Sequence, residues 1–208
     1  GGVHLEPLAE LLRGHLGALA TGVAATTLTG VSNGLFVAYM PAYLRELDYA
    51  PREIAIAQTL YVIVIACCVL VTAKAGDLLP RRYVFRAGAV LSALFAPCFY
   101  MAVSRDRADL LPWFLLAGGV ASFAGGTFAC AIAEMFPIGV RYSGLGSAMN
   151  LGLAATMGTA PLAATILVAR THWNAAPALI MVFFAGLAFV ASFAMKPSDA
   201  KRGVLTSD

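Results

Sequence analysis

The chain has 208 residues, 60% of them hydrophobic and 12% charged, with a mean hydropathy of +0.81. Soluble domains carry roughly a quarter charged residues, so a water-soluble globular class is excluded. A net charge of +3 is too small to suggest a nucleic-acid binder.

Apolar runs of ~20 residues, enough to cross a bilayer core of about 30 Å, recur six times and predict an all-α integral membrane protein. Residues 1–15 come first: Leu5, Leu8, Leu11 or Leu12, and Leu16 recur at helical spacing among Glu6, Glu10 and Arg13. This pattern predicts an amphipathic helix lying at the membrane interface. A transmembrane bundle over 16–195 follows, then a polar tail over 196–208. The first span, 16–44, carries Thr26, Thr27, Ser32, Asn33, Tyr39 and Tyr43, more polarity than lipid contact requires. Its Gly30-x-x-x-Gly34 offers a small-residue face for close packing. The second span, 54–75, places Gln58 and Tyr61 on one face, and the third covers 83–103. The fourth, 110–136, contains Gly118-Gly119 and Gly125-Gly126, glycine pairs predicted to form a second packing seam. The fifth, 143–169, starts at Ser143 as expected N-cap. Along it Ser143, Ser147, Asn150, Ala154, Gly158, Pro161 and Thr165 step by threes and fours into a small and polar stripe. The sixth span covers 175–195.

Six spans put both termini on one side. If that side is the cytoplasm, nine of the 14 basic residues lie inside and five outside, which favours this orientation. Cys67, Cys68, Cys98 and Cys130 all sit in apolar runs without His or Cys at ligand spacing, so they are expected to be buried packing residues. No metal or other cofactor is expected. An intramembrane serine protease would need a buried Ser–His pair. His4, His15 and His172 are terminal or in loops and no G-x-S-x-G is present, so no enzyme is expected.

An amide in hydrocarbon costs several kcal/mol unless it has a partner. Asn33, Gln58 and Asn150 are therefore candidates for a polar cavity wall, with Tyr61 beside Gln58. Tyr39 and Tyr43 belong either to that wall or to an aromatic belt at the interface. Pro161 frees a carbonyl in mid-helix and either permits a functional bend or makes a packing kink. Glu134 falls near the end of an apolar run, where a carboxylate is unfavourable without a cation. Arg81, Arg82 and Arg141 are its candidate partners, unless they only anchor hinges in anionic headgroups. No Asp, Glu, Lys, Arg or His lies in the central third of any predicted span. A coupling proton must then titrate on a partner or on Glu134.

The two charged hinges carry a resemblance. GDLLPRR, Gly76 to Arg82, resembles the loop between the second and third helices of a six-helix unit in the major facilitator superfamily, written G-x-L-a-D-r-x-G-R-R. It keeps Gly76, Asp77, Arg81 and Arg82 but is shortened, with Pro80 where the motif has Gly. AEMFPIGVRYSGLGSAMNLG (133–152), TAPLAATIL (159–167) and YMPAYL (39–44) resemble the metabolite:proton symporter branch of that superfamily, the proline/betaine, citrate, 2-oxoglutarate and shikimate type. There they lie, in this order, in the second half of a twelve-helix protein. The resemblance implies one six-helix half of a secondary active transporter in a bacterial inner membrane. Its substrate would be a small polar metabolite: an organic acid, an amino acid or a betaine osmolyte. Transport would be coupled to protons and proceed by alternating access. It also implies a cytoplasmic gate of Asp77, Arg81, Arg82, Glu134 and Arg141, with Asp77 meeting a helix end of the other half. That half would be a second copy, a separate N-terminal-type chain, or the rest of a longer protein. The competing reading is a non-transporting interaction or regulatory protein derived from a transporter half.

Overall fold

The computed structural model describes residues 14–105, 108–137 and 139–195. The predicted interfacial helix, up to residue 13, and the predicted tail lie outside them, as does the side chain of Asp77.

No strand occurs among the described residues. The first rod, Leu16–Glu46, is continuous but changes winding: α-helical over Leu16–Asn33, π-helical over Gly34–Tyr39, and α-helical again over Met40–Glu46. The second runs over Pro51–Leu78, with proline at the first helical position, where a missing N–H costs nothing. The third, Arg81–Arg105, contains Pro97 without breaking. Only Leu79 and Pro80 separate these two rods, so most of the predicted Ala75–Arg82 hinge is helix. Leu79 is extended, with φ −114° and ψ 153°, as the residue before a proline tends to be.

The fourth rod has two pieces, Leu110–Gly125 and Phe128–Ala133. Its start is capped by Asp109, whose carboxylate accepts from the Leu111 N–H at 3.1 Å. The fifth also has two pieces, Arg141–Met157 and Thr159–Thr171, broken at Gly158. It begins before the expected residue: Val140 is the N-cap and Ser143 lies inside the first turn. The sixth helix, Pro177–Ala191, is shorter than the expected 175–195, with turns prolonging it through Ser192 to Met195. Its 15 residues reach ~23 Å at 1.5 Å each. Five rods are long and apolar enough to cross a membrane, and the sixth is a shorter apolar helix. The chain is thus a multi-pass membrane protein.

The first rod is the most buried; it packs along the fifth and sixth helices. The second packs along the fourth, and the third bridges the fourth and sixth. Small residues set the closest approaches. A Cβ on Gly152 would stand 2.7 Å from Cβ of Thr26 and 2.9 Å from the Val23 carbonyl oxygen. A Cβ on Gly34 would stand 2.9 Å from the Met157 carbonyl oxygen. Of the fourth rod's glycines, Gly118 and Gly126 pack against the second rod, whereas Gly119 meets open space and Gly125 makes only a loose contact. The seam thus runs through one glycine of each pair, Gly118 and Gly126, and not through both.

An aromatic core joins the first four rods: Phe36, Tyr61, Phe99 and Phe114 have ring centroids 5.0–6.3 Å apart, with Tyr43 and Tyr100 extending it. The cysteines depart from the sequence-based expectation: Cys67, Cys98 and Cys130 are exposed and Cys68 is half-buried. A thiol behaves as a small hydrophobe, so a lipid-facing position suits it as well as a core one.

Candidate functional site

Arg81 is the first residue of the third rod, and Glu134 is the C-cap of the fourth rod's second piece. Each charge therefore sits at the end of its helix that the macrodipole disfavours. They resolve this against each other: the Arg81 guanidinium donates to Glu134 Oε1 at 2.5 Å, with both side chains partly exposed. The other two arginines have different contacts. Arg141 donates from Nε to the Phe136 carbonyl at 3.3 Å, closing its own turn. The Arg82 guanidinium lies 5.0 Å from the Tyr83 ring centroid and its Nε is buried without a hydrogen-bond partner among the described residues. Asp77 lies in the last turn of the second rod, on the same hinge.

Arg86, one turn beyond Arg82, makes a connection that the sequence pattern showed only as an inward-side charge. Its Nε donates to Ser192 Oγ at 2.9 Å, and its guanidinium covers the Phe193 ring at 4.0 Å. It ties the start of the third rod to the turn after the sixth helix. A cation four residues from Arg82 inside an apolar run was the signal available in the sequence.

The amide and tyrosine candidates divide by environment. Asn150 is exposed on the fifth rod, where Tyr142, Ser143, Gly146, Ser147, Asn150 and Leu151 line an open groove of about 500 Å³. Asn33 is half-buried and donates to the Thr29 carbonyl of its own helix at 2.9 Å. Gln58 reaches from the second rod to the first, where its Nε2 donates to the carbonyls of Phe36 at 3.0 Å and Val37 at 3.2 Å. Tyr61 is 1% exposed inside the aromatic core, stacked on Phe36. Tyr39 and Tyr43 are also buried and stack on each other at 5.2 Å, with the Tyr43 hydroxyl donating to the Asn174 carbonyl at 2.7 Å. Both rings face into the bundle and not onto its outer surface. The π-helical turn, which the sequence pattern did not reveal, puts Tyr39 inside the bundle.

Most of the small and polar stripe of the fifth rod faces away from the other helices: Asn150, Ala154, Gly158 and Thr165 are exposed and Ser143 and Ser147 half-buried, while half-buried Pro161 packs beside Gly34 of the first rod. A second ladder on the same rod went unread in the sequence. Gly144, Ala148, Gly152, Thr156, Ala160 and Ala164 are buried at four-residue steps. The exact period of small residues was its signal. Among the described residues no group of His, Cys, Asp and Glu is arranged to hold a metal ion.

Comparison with known proteins agrees with this architecture. A profile described as Major Facilitator Superfamily matches residues 22–207. The ectoine/proline transporter ProP of Corynebacterium glutamicum is 28% identical over 200 residues, covering 93% of this chain and 39% of that protein. The proline/betaine transporter of Salmonella typhimurium is 25% identical over 193 residues, covering 90% of the chain and 38% of its own length. A putative proline/betaine transporter of Staphylococcus aureus is 26% identical over 170 residues, covering 80% and 36%. The chain thus spans under two fifths of the length of these relatives. No solved structure matches it.

Proposed function

The chain belongs to the Major Facilitator Superfamily, and from that premise we propose that it forms one six-helix half of a secondary transporter for a small zwitterion of the proline, betaine or ectoine kind. The observation that carries this reading is the outward stripe of the fifth rod. In so apolar a chain, exposed Asn150 beside half-buried Ser143 and Ser147 suits a water-filled cavity better than lipid. The Asn150 amide offers a donor to a solute carboxylate and an acceptor to an ammonium, and the serine hydroxyls offer both. A zwitterion needs no net counter-charge. That fits rods whose central thirds hold no Asp, Glu, Lys, Arg or His, and it favours this class over an organic acid.

A second six-helix bundle, from a longer chain, a separate chain or another copy, would supply the facing wall and any titrating group for proton coupling. The hinge end faces the cytoplasm, in keeping with its excess of basic residues, and with it residues 1–15 and 196–208. The membrane would be a bacterial inner membrane. Alternating access then means rocking of the two bundles. Arg81–Glu134 is intact while the cytoplasmic side is closed and parts when it opens, biasing a two-state equilibrium. Such a protein moves its substrate without catalysing its conversion.

The test is uptake of labelled proline, betaine and ectoine by proteoliposomes containing the full protein that carries this sequence. The expected result is saturable accumulation of at least one solute, increased by an inward proton gradient. Correctly inserted protein that moves none of them contradicts the proposal and leaves the regulatory reading.

A further inference from the structure

We propose that Gln58 is a positioning residue: its side-chain amide replaces, from the neighbouring rod, backbone donors that the first rod lacks. In an α-helix each carbonyl accepts from the N–H four residues on, and in a π-helix from the N–H five residues on. The π turn of the first rod sends the Met40 N–H to the Leu35 carbonyl. The Phe36 carbonyl thereby loses its α-type donor, Met40. Its π-type donor would be residue 41, which is Pro41 and has no N–H. The Val37 carbonyl would accept from residue 41 in α winding, and loses it for the same reason. Two successive carbonyls lose their α-type donors, Phe36 to the register slip and Val37 to Pro41.

Gln58 carries two N–H donors on Nε2, and the structure directs them to these two carbonyls, at 3.0 and 3.2 Å. Two carbonyl oxygens as partners also settle which end of the amide faces them, since only the nitrogen donates. The half-buried amide's place between the rods has its reason here, because an unpartnered carbonyl in a bilayer is costly and irregular backbone needs a side-chain or water donor. The brace also holds the next turns of the rod in place. Tyr39 closes the π turn, and Tyr43 reaches the Asn174 carbonyl in the connection between the fifth and sixth helices. Gln58 thus ties the winding of the first rod to the seating of its end.

This assignment does not depend on the transported solute, and its primary readout is stability. In the full protein purified in detergent, Gln58→Leu is expected to lower the melting temperature, reducing the folding equilibrium constant about three- to tenfold, the range of a membrane-buried hydrogen bond. Pro41→Ala restores an N–H at position 41. It should recover most of the deficit in the Gln58→Leu background while changing little alone. Gln58→Glu, whose carboxylate donates nothing at neutral pH, should resemble Gln58→Leu. If Gln58→Leu yields no folded protein, recovery of folded protein in the double variant supports the brace equally well. An unchanged melting temperature in Gln58→Leu, or a deficit that Pro41→Ala leaves intact, overturns the proposal. So does a double variant with restored melting but a persisting tenfold loss of solute affinity, which would make Gln58 a ligand.

Discussion

On the fifth rod, Gly144, Ala148, Gly152, Thr156, Ala160 and Ala164 face the bundle, while Ser147, Asn150, Ala154, Gly158 and Thr165 face away. Both faces are built from small and weakly polar residues, and composition alone does not separate them. Geometry does. On the inner face, Thr156 donates its hydroxyl to the Gly152 carbonyl of its own helix, and its neighbours fit against Gly22, Thr26 and Gly30 of the first rod without room for another atom. On the outer face, a Cβ on Gly146 or Gly158 would meet nothing within 4 Å. Small residues serve close approach on one side and leave space on the other. A variant series on this rod should therefore split by face.

The largest effect is expected at Gly152→Val. A Cβ there overlaps Thr26 and the Val23 carbonyl, and overpacking of this kind costs about 1–3 kcal/mol or more. A clear fall in melting temperature and in folded yield should result. Gly146→Val, on the open face, should stay within about 0.5 kcal/mol of the parent. Equal losses at both positions would erase the distinction between the faces.

Asn150→Leu comes next and should act on transport alone. Uptake at low solute concentration is expected to fall about tenfold, the loss of one hydrogen bond to the solute, with the melting temperature unchanged. A drop in stability without a change in uptake would move Asn150 to a packing role.

The smallest effect is expected at the hinge. A partly exposed ion pair contributes about 0.2–1 kcal/mol, so Arg81→Ala or Glu134→Ala should change the uptake rate about fivefold or less. Exchange of the two charges, Arg81→Glu with Glu134→Arg, keeps the pair and puts each charge at the helix end that favours it. The exchanged protein should hold the closed state at least as well as the parent, read as normal or slowed uptake with no loss of stability. Exchange that behaves like the single variants would show that the pair itself does not matter.

The membrane class and the bundle were legible from apolar run length, and a carboxylate stranded near a helix end called for a cation, with Arg81, Arg82 and Arg141 left open as its partner. The outward stripe was legible because three- and four-residue steps survive helix breaks. Helix winding was not. The π turn at Gly34–Tyr39 comes from a register slip that leaves no period in the sequence, so the contact of Gln58 with the Phe36 and Val37 carbonyls was not legible. The break at Gly158 falls within one turn of Pro161, where a bend or kink was expected, whereas Pro97 leaves the third rod intact, so a proline alone does not mark an interruption. The cysteines were misplaced because a bilayer removes the penalty that would bury them in a soluble protein.

Whether the open face of the fifth rod lines a solute path is tested directly by thiol labelling. In the full protein with Cys67, Cys68, Cys98 and Cys130 replaced by serine, a cysteine is placed at Asn150 or, as control, at Ala148. A water-soluble, membrane-impermeant thiol reagent should modify the position-150 variant, slowed severalfold by saturating proline or betaine, and leave the position-148 variant untouched. A position-150 thiol that resists the reagent, or reacts at the same rate with and without every transported solute, would contradict a solute path along this face.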